Sequence, residues 1–322
     1  DFCLSRGLGD VYKRQLSVCG LADEAARAFC WLASTQLGDG SWFNYYFADG
    51  SVKDGRLDTN VCAYVATGVW HHYLVTGAID QLERMWPVVE RAIEFVLRLQ
   101  RADGSIAWAI DSTGRREPSS LLTGSSSIFH SLRCAIAAAE QLGKDRPHWE
   151  LAAGRLCHLV AHHPEAFAPK PEFAMDWYYP VLSGAVGGDR ATRRMVHGWD
   201  VFVMDGLGVR CVSGSDWVTA AETAECVLTL DAIGFEALAR QLFAGAQELR
   251  LPDGSYQTGM VIPDGTSFPS GERTTYTAAA IVLAADALSG APPAAGLFRG
   301  DRLPASLDLA EPCCPAMRGP SG

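Results

Sequence analysis

A phrase that recurs three times constrains the fold of this 322-residue chain more than any other feature. In each copy a helical, apolar run is followed by Asp-Gly-Ser and then by an aromatic residue, at residues 29–42, 95–108 and 243–256. A phrase repeated in this way marks one supersecondary unit that is used several times. We therefore expect a repetitive architecture in which each Asp-Gly-Ser occupies an equivalent turn.

Helical periodicity dominates the rest of the chain, and two kinds of helix alternate. One kind is amphipathic, as over residues 79–100, with apolar residues on one face and Arg and Glu opposite. The other kind is mostly apolar and ends in a glycine, at Gly77, Gly143, Gly187, Gly234 and Gly290. A helix that is apolar all round is buried, and a one-sided helix covers it. The pattern predicts an all-α fold, an α/α toroid of inner helices ringed by outer helices.

The count of five inner and five outer helices leaves one position of an (α/α)6 barrel incomplete. Residues 16–20 match the last turn of an inner helix, so the first inner helix is predicted to be truncated and the toroid domain to span 16–290. Residues 1–15 share no periodicity with the helices after them and are interpreted as a non-native N-terminal artefact. Residues 291–322 are rich in Pro and Gly and are predicted to form a disordered tail.

Composition narrows the possible partners. The formal charge of 27 − 37 = −10 disfavours nucleic acid and anionic membranes, and no apolar stretch approaches the roughly 18 residues of a membrane span. The ten cysteines include no Cys-x-x-Cys, which indicates thiols in a reducing compartment and predicts a cytoplasmic protein. The sequence contains no metal-binding, phosphate-loop or dinucleotide motif, so no cofactor is evident. The absence of a motif does not exclude zinc or magnesium as a cofactor.

The toroid brings the starts of the inner helices to one mouth, and aromatic and acidic residues collect there. Asp39, Asp103 and Asp253 belong to the Asp-Gly turns and are read as turn residues. Asp58 and Asp216 open helices, where a capping role is as good an interpretation as a catalytic one. The substrate-binding candidates at the mouth are Tyr46, Asp58, Trp177, Tyr178, Tyr179, Asp216, Trp217, Arg273 and Tyr276.

Three carboxyl groups are the catalytic candidates. Asp176 stands among aromatic residues, where partial desolvation raises a carboxyl pKa and suits it to acid catalysis. Glu222 and Glu225 lie in an otherwise apolar inner helix, where a carboxylate is costly unless it is paired or faces a cavity, and Glu222 is the chosen candidate. Glu272 precedes the last inner helix and forms either a first-turn pair with Arg273 or part of the mouth.

The repeated Gln-x-x-Asp-Gly-Ser-Trp phrase on a toroid resembles the repeat of the terpenoid cyclase and protein prenyltransferase superfamily. Longer stretches at 58–77, 121–134, 175–182, 217–225 and 271–280 are similar to bacterial, mainly actinobacterial, prenyltransferase-like proteins. This resemblance implies a transferase or cyclase acting on an isoprenoid. The cyclase acid motif Asp-x-Asp-Asp and the zinc ligand set of the prenyltransferases are both absent from the chain.

A second resemblance, over residues 73–93, is to the six-hairpin (α/α)6 glycosidases, in which paired carboxylates cleave glycosidic bonds. It implies a glycoside hydrolase or other glycan-active enzyme with Asp176 as acid and Glu222 or Glu272 as base or nucleophile. A non-catalytic binding scaffold is the third hypothesis. A deep apolar cavity favours the isoprenoid substrate, an open groove with carboxylates favours the carbohydrate, and a filled lumen favours the scaffold.

Overall fold

Inner and outer α-helices alternate along the chain in the computed structural model, which describes residues 11–291, 293–307 and 309. The outer helices are α2 (Ala22–Thr35), α5 (Ile79–Leu97), α7 (Pro147–His162), α9 (Gly188–Phe202) and α11 (Glu236–Ala246). The inner helices are α1 (Val11–Val18), α3 (Thr59–Ala63) continued by α4 (Val65–Thr76), α6 (Leu122–Gln141), α8 (Ala174–Leu182), α10 (Ala220–Ala232) and α12 (Thr275–Ser289). The α/α toroid predicted from the alternation is confirmed.

Helix α1 closes the inner ring, because it packs against α12 on one side and α4 on the other. Its residue Arg14 is buried and donates a hydrogen bond of 3.0 Å to Tyr64 Oη. Ser17 Oγ lies 2.8 Å from His72 Nδ1. The boundary placed at residues 15 and 16 from the sequence therefore falls inside a packed helix, and α1 occupies the sixth inner position.

The repeated phrase forms the same turn each time. The aspartate Oδ1 atom accepts hydrogen bonds from the backbone N–H and the hydroxyl of the serine two residues later, at Asp39, Asp103 and Asp253. The glycines between them have positive φ, which L side chains rarely adopt. These aspartates are turn residues, as the sequence indicated.

A glutamine before the turn connects each of the first two phrases to the next outer helix. Gln36 Nε2 donates to the carbonyls of Gly40 (3.0 Å) and Val88 (2.9 Å). Gln100 makes the equivalent bonds to Gly104 and Ala152, both at 3.0 Å. The glutamine of each of these two phrases thus connects its turn to the next outer helix by hydrogen bonds.

Short strands lie between an outer helix and the following inner helix, at the mouth of the toroid. Two strand pairs, β1 (Tyr45–Tyr46) with β2 (Val52–Asp54) and β3 (Leu57–Asp58) with β4 (Ala109–Ile110), accompany one five-stranded antiparallel sheet. That sheet consists of β5 (Val203–Met204), β6 (Gly208–Val209), β7 (Trp217–Thr219), β8 (Gly259–Val261) and β9 (Ser267–Phe268), in that order.

Strand β7 corrects the expectation that Asp216 opens an inner helix. Val218 and Thr219 are β-branched and pair with β8, so α10 begins only at Ala220. A second correction concerns Gly187, which precedes α9 with extended backbone. Gly184, with φ of 78°, is the glycine that follows α8.

The segment after α12 is folded onto the barrel over the residues that the structure describes. Ala294, Ala295 and Leu297 are buried, and the Phe298 ring stacks on His130 with centroids 4.7 Å apart. Arg299 forms an ion pair of 2.6 Å with Asp231. The disordered tail expected from the Pro and Gly content is therefore wrong for residues 293–299, because their apolar side chains pack onto the barrel and Arg299 is paired. For residues 310–322 this prediction lies outside the described residues. None of the described helices is both long and apolar enough to cross a membrane.

Candidate active site

A cavity of ≈ 80 Å³ lies where the inner helices α3, α6 and α8 begin. Two of the sequence-selected acids, Asp58 and Asp176, lie in its wall with Tyr179. The other lining residues are Thr59, Asn60, Ile106, Trp108, Leu121, Thr123, Gly124, Ser125, Ile128, Lys170, Phe173 and Met175. The first turn of each of these inner helices thus brings a carboxyl, hydroxyl or amide group to this cavity.

Asp176 is the carboxyl group of this wall that is shifted toward its protonated form. Burial raises its pKa, and hydrogen bonds from Thr123 oppose the shift. Thr123 Oγ1 donates to Asp176 Oδ1 at 2.5 Å, and the Thr123 backbone N–H donates to the same oxygen at 3.3 Å. Both bonds fix the orientation of the carboxyl group through Oδ1.

Asp58 caps helix α3. Its Oδ1 atom accepts hydrogen bonds from the backbone N–H groups of Asn60 (2.9 Å) and Val61 (3.3 Å). The side chain is buried and belongs to the cavity wall as well. The hydrogen bonds therefore show the capping role that the sequence offered, and the substrate-binding role of Asp58 stays a prediction.

Tyr178 and Tyr179 contact a carboxylate that the sequence did not select as a site residue. Tyr178 Oη donates to Glu225 Oε2 at 2.5 Å, and Tyr179 Oη donates to Glu225 Oε1 at 2.9 Å. Burial raises the pKa of Glu225 to about 7, and the charge of Glu222 contributes to the rise. The signal for Glu225 was the same as for Glu222, a carboxylate within an apolar helix, and only the tertiary structure reveals its two tyrosine partners.

Glu222 belongs to a second polar cluster, where α10 and α12 begin. Four buried side-chain oxygens there have no hydrogen-bond partner among the described residues: Glu222 Oε2, Thr258 Oγ1, Glu272 Oε2 and Tyr276 Oη. Burial raises the pKa of Glu222, and the pKa of Tyr276 is raised by burial and by the charges of Glu222, Glu225 and Glu272. Unpaired buried polar atoms are costly in a folded protein, so their grouping marks a place that suits a polar ligand.

Two predicted mouth residues are directed away from both clusters. The Trp177 ring stacks on Phe202 with centroids 5.4 Å apart, and its Nε1 donates to the Arg194 carbonyl at 2.8 Å, so it packs against α9. Arg273 Nη1 binds Asp253 Oδ2 at 2.8 Å and thereby holds the third Asp-Gly-Ser turn. Neither residue is part of the wall of the ≈ 80 Å³ cavity, because successive residues of a helix or turn point in different directions, and their assignment to substrate binding stays a prediction.

Three others lie at the edge of the mouth. Tyr46 makes an edge contact with Trp31, with ring centroids 5.3 Å apart. Trp217 stacks on Phe268 across the five-stranded sheet, with centroids 4.5 Å apart, and Asp216 is exposed beside it. None of the three is part of the wall of the ≈ 80 Å³ cavity.

Below the mouth, the lumen of the toroid is filled by side chains. Tyr179, Glu225 and Phe298 surround a cavity of only ≈ 30 Å³ between the inner helices. The part of the chain that the structure describes thus leaves no room for an isoprenoid between these three side chains. It also contains no group of three or more His, Cys, Asp or Glu side chains arranged to hold a metal ion.

Comparison with known proteins identifies a close relative. No protein-family model matches the sequence. The chain is 52% identical over 293 residues to an MMP endo-(1,4)-3-O-methyl-alpha-D-mannosidase of Mycolicibacterium hassiacum, and the match covers 91% of this chain and 81% of that protein. The relative is a glycosidase, so the prenyltransferase interpretation finds no support from it.

Solved structures agree on the fold. A glycosidase variant in complex with glucose superposes with a TM-score of 0.69 at 15% identity, covering 87% of this chain and 86% of its own. A mannosylglycerate hydrolase of Thermus thermophilus, in complex with Tris and D-glycerate, superposes with a TM-score of 0.64 at 14% identity, covering 86% and 92%. At these identities the likeness establishes a shared toroid architecture.

Proposed function

The chain belongs to the glycoside hydrolase family of the M. hassiacum mannosidase, and we propose that it cleaves internal α-(1,4) bonds in chains of 3-O-methylmannose. The observation that carries the proposal is the 52% identity, which extends over 81% of that relative. This identity favours a carbohydrate over an isoprenoid as the substrate. A filled lumen is the property expected of a binding scaffold, and here it argues only against an isoprenoid substrate; the choice of an enzyme rests on the identity to a mannosidase.

Glycoside hydrolysis requires two carboxyl groups, one to protonate the leaving oxygen and one to activate water or to attack the sugar. We assign the acid to Asp176, whose burial favours the protonated form and whose Oδ1 is held by Thr123. Its proton passes to the glycosidic oxygen as the bond from that oxygen to C1 breaks. Because Thr123 occupies Oδ1, we assign the transferred proton to Oδ2.

The second carboxyl group is assigned to Glu222, with Glu272 as the alternative. Both have one buried oxygen without a partner among the described residues, next to Tyr276. As a base, the carboxylate takes a proton from the water that bonds to C1; as a nucleophile, it bonds to C1 itself and water later releases the sugar. Tyr179, which lines the mouth cavity and contacts Glu225 on the helix of Glu222, connects the two polar clusters.

The test is hydrolysis of purified 3-O-methylmannose oligosaccharides, compared with unmethylated α-(1,4)-mannosides. Asp176→Asn and Glu222→Gln keep the size of each side chain and remove its acid–base chemistry. We expect each to lower kcat by about 10²–10⁴-fold, which is the usual contribution of a general acid or base. NMR of the first-formed product reports retention or inversion, and hence whether the second carboxyl group is a nucleophile or a base.

Two control variants test whether a loss of activity is specific to the proposed catalytic residues. Asp103→Asn changes an aspartate of an Asp-Gly-Ser turn and Glu83→Gln changes an exposed glutamate of α5, and both should retain wild-type kcat. Wild-type rates in Asp176→Asn and Glu222→Gln would overturn the residue assignment. Failure of the wild-type chain to release sugar from any mannoside would overturn the function itself.

A further inference from the structure

An open groove of ≈ 1000 Å³ runs along the outside of the toroid beside the mouth. One wall is the exposed side of helix α9, and the other is the segment 164–171 between α7 and α8. Of the residues that line this groove, the proposed hydrolysis uses only Asp176. The remaining surface therefore has no role in the chemical step.

The groove is continuous with the mouth cavity. Asp176 and Lys170 line both, so the proposed acid lies at the junction of the two spaces. Arg194 stabilises this junction, since its guanidinium donates to the carbonyls of Asp176 (2.7 Å) and Trp177 (2.8 Å). A chain bound across the mouth at Asp176 therefore enters the groove if it continues in that direction.

The groove has an apolar surface with polar groups along it. Val196 and Val201 of α9 are 68% and 45% exposed, a large fraction for branched apolar side chains on an outer helix. Prolines at three positions stiffen the opposite wall. Arg193 and His197 add hydrogen-bonding groups beside the valines, and Asp176 is the single carboxylate in the lining.

This mixture fits an O-methylated sugar chain. Methyl ethers and the C–H faces of pyranose rings are apolar and gain from contact with valine and proline, while the remaining hydroxyl and ether oxygens accept hydrogen bonds. An uncharged chain makes these apolar contacts without the cost of desolvating a charge. An enzyme that cuts inside a chain binds sugar units on both sides of the cleaved bond, so a path leading away from the acid is required.

We propose that this groove, defined by α9 and residues 164–171, binds the 3-O-methylmannose units that extend beyond the mouth, and so sets a preference for long chains. The inference rests on the proposed function and adds a remote binding surface to it. It predicts that the groove contributes to recognition of long substrates and not to the chemical step.

The experiment measures kcat and KM for short and long 3-O-methylmannose oligosaccharides with the double variant Val196→Ser/Val201→Ser. Both residues are exposed, so the fold should tolerate the change. For the longest substrate we expect KM to rise about tenfold, as loss of two apolar contacts implies, with kcat unchanged. For the shortest cleavable substrate both constants should match the wild type. Val52→Ser, which alters an exposed valine on β2, is the matched control and should affect neither substrate.

The outcomes distinguish the two proposals. Equal KM values for wild type and double variant on the long substrate would overturn the groove proposal while leaving the hydrolase intact. Equal losses on short and long substrates would also overturn it, since the groove would then act on the mouth. A third result would be a wild type that sediments as a dimer and a double variant that sediments as a monomer, with the same preference for long substrates. The groove would then be a contact between two copies of this chain, and the proposal would be overturned. Absence of hydrolysis by the wild type is instead a failure of the proposed function.

Discussion

Glu225 is predicted to make the stability of this protein fall as the pH rises from 4.5 to 7. The carboxyl group is buried on α10, with the hydroxyls of Tyr178 and Tyr179 at 2.5 and 2.9 Å from its two oxygens. Burial raises its pKa from 4.5 to about 7, because the charged form loses its hydration. In the unfolded chain the same group ionises near its ordinary pKa.

The sign depends on which state holds the proton. Between pH 4.5 and 7 the unfolded chain has lost this proton while the folded chain retains it, so a rising pH favours unfolding. Below this window both states are protonated, and above it both are ionised, so the contribution is constant. At about 1.4 kcal/mol for each pH unit, the window removes about 3 kcal/mol from the free energy of unfolding.

Glu225→Gln isolates this contribution, because the amide keeps the size of the side chain and its hydrogen bonding with the tyrosines but does not titrate. Urea unfolding at fixed ionic strength from pH 3 to pH 8 gives the free energy of unfolding of both proteins. We expect the variant to gain about 3 kcal/mol relative to wild type across the window. The same slope in both proteins would refute the reasoning.

Glu94→Gln provides a control of opposite sign. Partial burial opposes ionisation of Glu94, but hydrogen bonds from His148 and Trp149 lower its pKa overall. The stability contributed by that carboxylate is present above its ordinary pKa and is lost as the pH falls below it. The control should therefore differ from wild type in the acid range, where Glu225 contributes no change.

Three further substitutions test how the toroid is held together, each by urea unfolding at pH 7. Asp58→Ala removes the cap of α3 and should cost about 1 kcal/mol; an unchanged free energy would show that the cap is dispensable. Gly198→Ala drives a Cβ atom into the Trp177 indole, so we expect about 1–3 kcal/mol of destabilisation, and full stability would mean that the ring is not packed on α9 as described. Gln100→Ala removes two hydrogen bonds that connect an Asp-Gly-Ser turn to the next outer helix and should cost about 2 kcal/mol; an unchanged free energy of unfolding would show that the glutamine is not needed for this connection.

The sequence was least informative about which side chains meet. On α8, Asp176 lies at the mouth, Trp177 packs on α9, and Tyr178 and Tyr179 bond to Glu225. The aromatic run indicated a site but could not assign these directions, since they depend on which helices surround α8. The same limit explains why Arg273, expected at the mouth, instead holds Asp253.

The residues alone also could not decide which of the two resembled enzyme classes is the correct one. Both resemblances imply a helical toroid, and the repeat identifies that toroid through its turns rather than through any reacting group. Identity across most of a mannosidase, with a lumen filled by Tyr179 and Phe298, separates the two in favour of the glycosidase.

The architecture could be read from the chain alone, because helix periodicity and the Asp-Gly-Ser turns are local properties that need no distant partner. The same holds for the buried carboxyl groups of α10, since Glu222 and Glu225 interrupt an apolar helix. That Asp58 and Asp176 share a cavity became visible only in the folded ring. The same is true of the grouping of Tyr276 with Glu222, Thr258 and Glu272, each of which has one buried oxygen without a partner among the described residues. The reason is physical: a side chain's desolvation and its partners are set by neighbouring helices far away in sequence, and these contacts exist only once the ring has closed.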